Sequence, residues 1–116
     1  MKILFLGDIV GPSGCMVVKK YLRKIVEENK INFVIANGEN AAHNGVGITK
    51  DVLDNLIKFG VNVLTTGNHV WDHKETLKLV EDDNRLLRPL NLIGVSPGKG
   101  FEIYQTSKNF RIGVLN

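Results

Sequence analysis

Apolar runs too short for helices alternate with amphipathic stretches long enough to form them, and that alternation leaves few folds open. Lys2–Leu6, Asn32–Ala36 and Val61–Thr65 read as buried strands, each stopped by glycine or polar residues. Between the first two, a helix is expected after the glycine-rich turn Gly7–Gly14 and up to about Asn29, with Cys15, Val18, Leu22, Ile25 and Val26 on one stripe. The next helix is expected to open at Thr49 as a cap, to bury Val52, Leu53, Leu56 and Ile57, and to stop at Gly60. A third begins where Asp72 and Glu75 have the spacing of a capping box and runs through Leu79.

The order is therefore β-α-β-α-β-α. Parallel neighbours need a crossover, so this order implies an α/β chain with a parallel sheet and helices packed on its faces. After Arg88-Pro89 the pattern changes. A Pro/Gly-rich loop at Ser96–Gly100 precedes two short runs, Phe101–Tyr104 and Arg111–Leu115, around a polar turn at Lys108-Asn109, which reads as an antiparallel hairpin.

At 116 residues the chain can bury one core. Its net charge of +3 does not point to nucleic acid. Lys19, Lys20, Arg23, Lys24 and Lys30 face only Glu27 and Glu28 in that stretch, which leaves ten basic and ten acidic residues elsewhere. The excess belongs to the solvated face of the first helix, so no specific DNA binding is expected. A single cysteine, Cys15, excludes an intrachain disulfide and is read as a small buried hydrophobe. The apolar run in Met1–Asp8 is too short for a signal-peptide core, and no run approaches the roughly 20 residues of a membrane span. A cytoplasmic location without membrane contact is expected.

Chemistry gathers at the strand ends. Asp8 follows the first strand, Asn37, Glu39 and Asn40 the second, and Asn68 and His69 the third. In an open parallel sheet these ends share one edge, where ligands bind. Each residue alone has an ordinary structural explanation, as a cap, a loop hydrogen-bonder or a packed histidine. Together, two carboxylates, amide oxygens and an imidazole suit a metal of intermediate hardness such as Mn, Fe or Zn. His43, His73 and Trp71 read as surface, supporting or packing residues. Gly7, Gly11 and Gly14 precede a helix whose N-terminus could hold a phosphate, yet they lack both the G-x-G-x-x-G spacing and a following Gly-Lys-Ser/Thr.

The segments Gly7-Asp8-Ile9-Val10-Gly11, Asn37-Gly38-Glu39-Asn40-Ala41-Ala42 and Gly67-Asn68-His69-Val70-Trp71-Asp72 resemble the successive motifs of calcineurin-like metallophosphoesterases, and more closely those of the bacterial YmdB family. Leu87-Arg88-Pro89 and Ser96-Pro97-Gly98-Lys99-Gly100 are similar to that family as well. The wider superfamily has a histidine where this chain has Val10 and an aspartate where it has Glu39. Both departures agree with the YmdB subgroup.

The resemblance implies the N-terminal half of an αββα two-sheet sandwich and a dinuclear phosphodiesterase acting on cyclic nucleotides of the 2',3'-cAMP type. By position, Asp8 would bind the first of two metal ions, Fe or Mn with Zn as a further option, and Glu39 would bridge both. Asn40 and Asn68 would bind the second through amide oxygens. A hydroxide held between the metals would attack phosphorus, and His69 would be the catalytic proton donor. Asp72 is placed either to orient His69 or to cap the following helix. Family members complete the metals with histidines from a Thr-His-Thr-His-like motif that this sequence does not contain. Residues 1–116 are thus expected to form one partial domain, with little or no activity alone. The rival readings are a nucleotide- or phosphate-binding module without hydrolysis and an interaction module that pairs through an exposed sheet edge, with a homo-oligomer as one result.

Overall fold

A computed structural model of the chain describes residues 1–92 and 97–116. β1 (Ile3–Leu6), β2 (Phe33–Asn37), β3 (Val63–Thr65) and β4 (Leu86–Leu87) form one parallel sheet in the order β1-β2-β3-β4. The crossovers are α1 (Gly11–Asn29), α2 (Lys50–Phe59) and α3 (Lys74–Asp82). β5 (Phe101–Gln105) and β6 (Arg111–Leu115) pair as an antiparallel hairpin, a separate two-stranded sheet. The expected alternation and hairpin are both present.

All three helices lie on one face of the sheet, as one half of an αββα sandwich requires. Strand order advances in one direction, and crossovers of one hand then keep every helix on the same side. Leu4, Leu6, Val34, Ala36, Leu64 and Leu86 meet Val18, Leu22, Val52, Leu53, Leu56, Leu79 and Val80 of the helices. With a side-chain period of two, the intervening residues point the other way. Phe33, Ile35, Val63 and Leu87 accordingly pack against Tyr104, Ile112 and Val114 of the hairpin, with the Phe33 and Tyr104 ring centroids 5.7 Å apart. The layers are helices, parallel sheet and hairpin sheet.

Several boundaries move for identifiable reasons. α1 begins at Gly11, because Pro12 in the first turn is compatible with helical φ and lacks an N–H that would go unpaired there. Ile25 is 38% exposed, off the buried stripe where Val18 and Leu22 sit. The basic face of α1 is solvated, with exposed pairs Arg23–Glu27 at 3.1 Å and Lys24–Glu28 at 3.7 Å. Thr49 occupies the N-cap of α2 without capping it, since its hydroxyl donates to the Asp51 carboxylate. Gly60 does close α2, in the left-handed conformation.

The Asp72 capping box does not form. A 3-10 turn covers Asn68–Trp71, and the N-cap of α3 is His73. Asp72 lies one residue before it with its carboxylate against His69. β4 was not anticipated, being two residues long and directly before Arg88-Pro89. Ser96, the first residue of the expected Pro/Gly loop, lies outside the described residues. No described helix is long and apolar enough to cross a membrane.

Candidate metal centre

Register brings the strand ends level. Leu6 pairs with Ala36, Asn37 with Thr65, and Thr65 with Leu87, so Asp8, Glu39 and Asn68 all emerge from the same edge of the sheet. Backbone bonds then lace the loops together. Ile9 N–H donates to Asn37 O at 3.0 Å, Gly11 N–H to Asn40 O at 2.9 Å, and Gly38 N–H to Thr65 O at 2.9 Å.

Two groups form on this edge. In the first, the Asn40 side-chain amide donates to both oxygens of Asp8, at 3.2 and 3.0 Å. That leaves the Asn40 carbonyl oxygen free to serve as a donor to a cation. In the second, Glu39 Oε1 accepts the backbone N–H of His69 at 3.3 Å, and His69 Nδ1 lies 2.6 Å from Asp72 Oδ2. Asn68 is exposed at the start of the 3-10 turn. Asp8 and Asp72 are exposed, while Glu39, Asn40 and His69 are half-buried.

Two further residues shape this edge, Asn37 as a turn-former where the sequence placed it only among the strand-end polar residues, and Gly67, to which the sequence gave no role. Asn37 Oδ1 accepts the Glu39 N–H at 3.0 Å, closing a side-chain turn that sets the direction of Glu39. Its signal was an Asn-Gly pair directly after a strand. Gly67 lies so close to Glu39 that a Cβ there would overlap the carboxylate. With no Cβ at this position, the Glu39 carboxylate can lie directly against the Gly67 backbone.

The edge has the chemistry of part of a metal centre. Two carboxylates and two carboxamides offer hard oxygen donors, and the Glu39 carboxylate occupies the space beside Gly67. Among the described residues no three His, Cys, Asp or Glu side chains come together tightly enough to hold an ion by themselves. A cation held here would draw on the carboxamides as well, with water or further residues completing its shell.

The other titratable groups lie elsewhere. A groove of about 300 Å³ between α1 and α2 is lined by Pro12, Cys15, Lys19, His43, Asp51 and Phe59, among others, and by none of the candidate ligands. The Cys15 thiol points to Ala41 O at 3.6 Å and is half-buried, and burial pushes its pKa up. His43 pairs with Asp51 at 3.4 Å in the open. The Thr49 hydroxyl, more than His43, holds the Asp51 carboxyl below its usual range. Trp71 packs against the helix-side core.

The chain is similar in sequence and in fold to known proteins. The family model described as YmdB-like protein matches residues 4–116. A 2',3'-cyclic-nucleotide 2'-phosphodiesterase of Bacillus subtilis (strain 168) is 42% identical over all 116 residues, which cover 43% of its length. A crystal structure of a hypothetical protein from Thermus thermophilus superposes with a TM-score of 0.89 at 36% identity, over 99% of this chain and 44% of that one. The crystal structure of a novel phosphatase from Mycoplasma pneumoniae gives 0.90 at 33% identity, over 100% of this chain and 42% of that one. The chain thus spans less than half the length of these relatives. With sequence and fold matched from end to end, the chain belongs to the YmdB-like family.

Proposed function

We propose that this chain carries the N-terminal part of the active site of a metal-dependent phosphodiesterase that opens 2',3'-cyclic nucleotides. The observation that carries this reading is the shared edge on which the Asp8–Asn40 pair and the Glu39–His69–Asp72 group emerge from three adjacent strands. The activity for which the Bacillus subtilis relative is named supplies the substrate class.

Asp8 would hold one metal ion, Glu39 would bridge two, and Asn40 and Asn68 would complete the second through their amide oxygens. These oxygen donors suit Mn; Fe, with Zn a further option, follows from the family resemblance. Bound there, the ions would neutralise phosphoryl oxygens and furnish a nucleophile at neutral pH.

The chain's own groups handle position and protons. Asn40 donates to Asp8 and fixes that carboxylate while keeping its own carbonyl oxygen outward. Asp72 holds the Nδ1 side of His69, which orients the ring and leaves Nε2 to carry the transferable proton. As the P–O2' bond breaks and water oxygen joins phosphorus, His69 Nε2 protonates O2', leaving a nucleoside 3'-phosphate.

The test uses the full-length protein with a 2',3'-cyclic nucleotide. Glu39→Gln and His69→Ala are expected to lower turnover by roughly 10²- to 10⁴-fold with the melting temperature retained, and EDTA is expected to abolish hydrolysis. Near-wild-type turnover in either variant overturns the mechanism. Ligand binding without hydrolysis, unaffected by EDTA, would instead identify a binding module.

A further inference from the structure

We infer that His73 is a positioning residue for this reaction, holding the loop that carries Glu39 and Asn40 at a set distance from the turn that carries His69. The inference rests on the hydrolytic reading above. Nothing in that mechanism uses His73, and in the sequence it reads as an ordinary surface or supporting residue.

The loop from Gly38 to Ile48 has two flanks. One is fastened to the segment after β1, through Gly11 N–H to Asn40 O at 2.9 Å and the Cys15 thiol facing Ala41 O. The other runs beside the 3-10 turn and α3. There His73 Nε2 lies 2.9 Å from Val46 O, and the buried Thr76 hydroxyl donates to Ile48 O at 2.7 Å. His73 is the N-cap residue of α3, yet its side chain makes no cap bond. Its imidazole reaches across to the loop instead.

Gly47 shows how closely the two segments are drawn together. Its φ is +75°, and a Cβ would stand 2.7 Å from His73 Cδ2 and 3.1 Å from His69 O. Gly47 is therefore packed against both the His73 ring and the His69 backbone, one residue from the carbonyl that His73 binds. Gly47 O in turn accepts Ala42 N–H at 2.9 Å, and Ala42 O accepts Gly45 N–H at 2.8 Å. A continuous path of bonds thus leads from His73 through Val46 and Gly47 to Ala42, two residues from Asn40. The direct link between the two halves of the site, His69 N–H to Glu39 Oε1, is long at 3.3 Å. The His73 latch supplies the rigidity that this link lacks, and groups that act together on one phosphorus need such support.

The experiment compares His73→Ala and His73→Gln in the full-length protein. The Gln side-chain amide can still donate to Val46 O; Ala cannot. His73→Ala is expected to lower kcat about tenfold or more with KM nearly unchanged, and His73→Gln to recover most of it. Amide hydrogen exchange in metal-free protein gives the independent readout. Protection at Ala42 and Gly45 should fall in His73→Ala and return in His73→Gln. Unchanged protection in the Ala variant, reduced protection with unchanged kcat, or no recovery with Gln each overturns the inference. Should His73→Ala fail to fold, His73→Gln decides alone: wild-type-like kcat and protection support the latch, and loss of either overturns it. Because exchange is read without metal or substrate, a wild-type protein with no hydrolytic activity would refute the functional reading while the latch is still judged on protection.

Discussion

The two faces of the parallel sheet are covered very differently. On the helix side, Leu22, Leu53, Leu56, Val61, Leu64 and Val80 are almost wholly inaccessible and join residues from all three helices in one cluster. On the hairpin side the buried cluster is Phe33, Val63, Leu87, Ile112 and Val114, and it stops short of β1, where Ile3 and Phe5 remain 44% and 59% exposed. Stability thus resides on the helix face, while the hairpin face is secured mainly over β2 to β4. The strand ends bearing the candidate ligands sit above both, and they inherit their rigidity from the better-packed side.

The largest expected effect tests this asymmetry directly. Leu53→Ala on the helix face should cost about 2–5 kcal/mol in chemical denaturation, through lost transfer energy and the cavity left behind. Val114→Ala on the hairpin face should cost about 1.5 kcal/mol. Equal losses, or the reverse order, would break the comparison.

A smaller effect concerns the junction of the two faces. Asp83 ends α3 and binds Arg85 just before β4, at 2.6 Å, while the Tyr104 hydroxyl of the hairpin donates to Asn84 O between them. The Arg85 side-chain hydrogen bond lowers the Asp83 carboxyl pKa, with burial opposing it. A depressed folded-state value stabilises the fold fully above the unfolded carboxyl value near 4, and the gain disappears as pH falls through the folded value. Arg85→Ala should therefore cost about 1 kcal/mol or less at neutral pH, since the pair is part-exposed. The gap from wild type should narrow as pH drops below about 4. A gap that stays constant down to about pH 2 would sink this account. Smallest of all, Phe5→Ser on the open end of the hairpin face should change stability by no more than about 0.5 kcal/mol; a larger loss would show that β1 is covered on that side.

Much of this architecture was legible in the sequence because local signals and tertiary packing agree. The apolar runs became strands within a residue or two, and Gly60 closed its helix as its conformational freedom suggests. The candidate residues fall on one edge because strand ends in a parallel sheet must. What escaped was decided by contacts distant in sequence. β4 exists because Leu86 and Leu87 find β3 and both buried clusters, which two residues cannot announce by periodicity. Asp72 matched a capping pattern at the right spacing, but its carboxylate found the His69 ring and His73 took the cap position. Ile25 has the spacing of the buried stripe and misses it, because α1 meets its neighbours over Val18 and Leu22.

Strand order has a consequence for the history of each molecule as it is made. In the order β1-β2-β3-β4 every new strand docks beside the one synthesised just before it, and none has to be inserted between earlier neighbours. Loop closure then stays short at each step, which favours rapid formation of contacts. The sheet can grow outward from β1 as the chain leaves the ribosome, N-terminal units first. By the time Asp72 has emerged, the turn after β1, the loop after β2 and the turn after β3 have all been synthesised, so the polar edge can assemble before the hairpin exists.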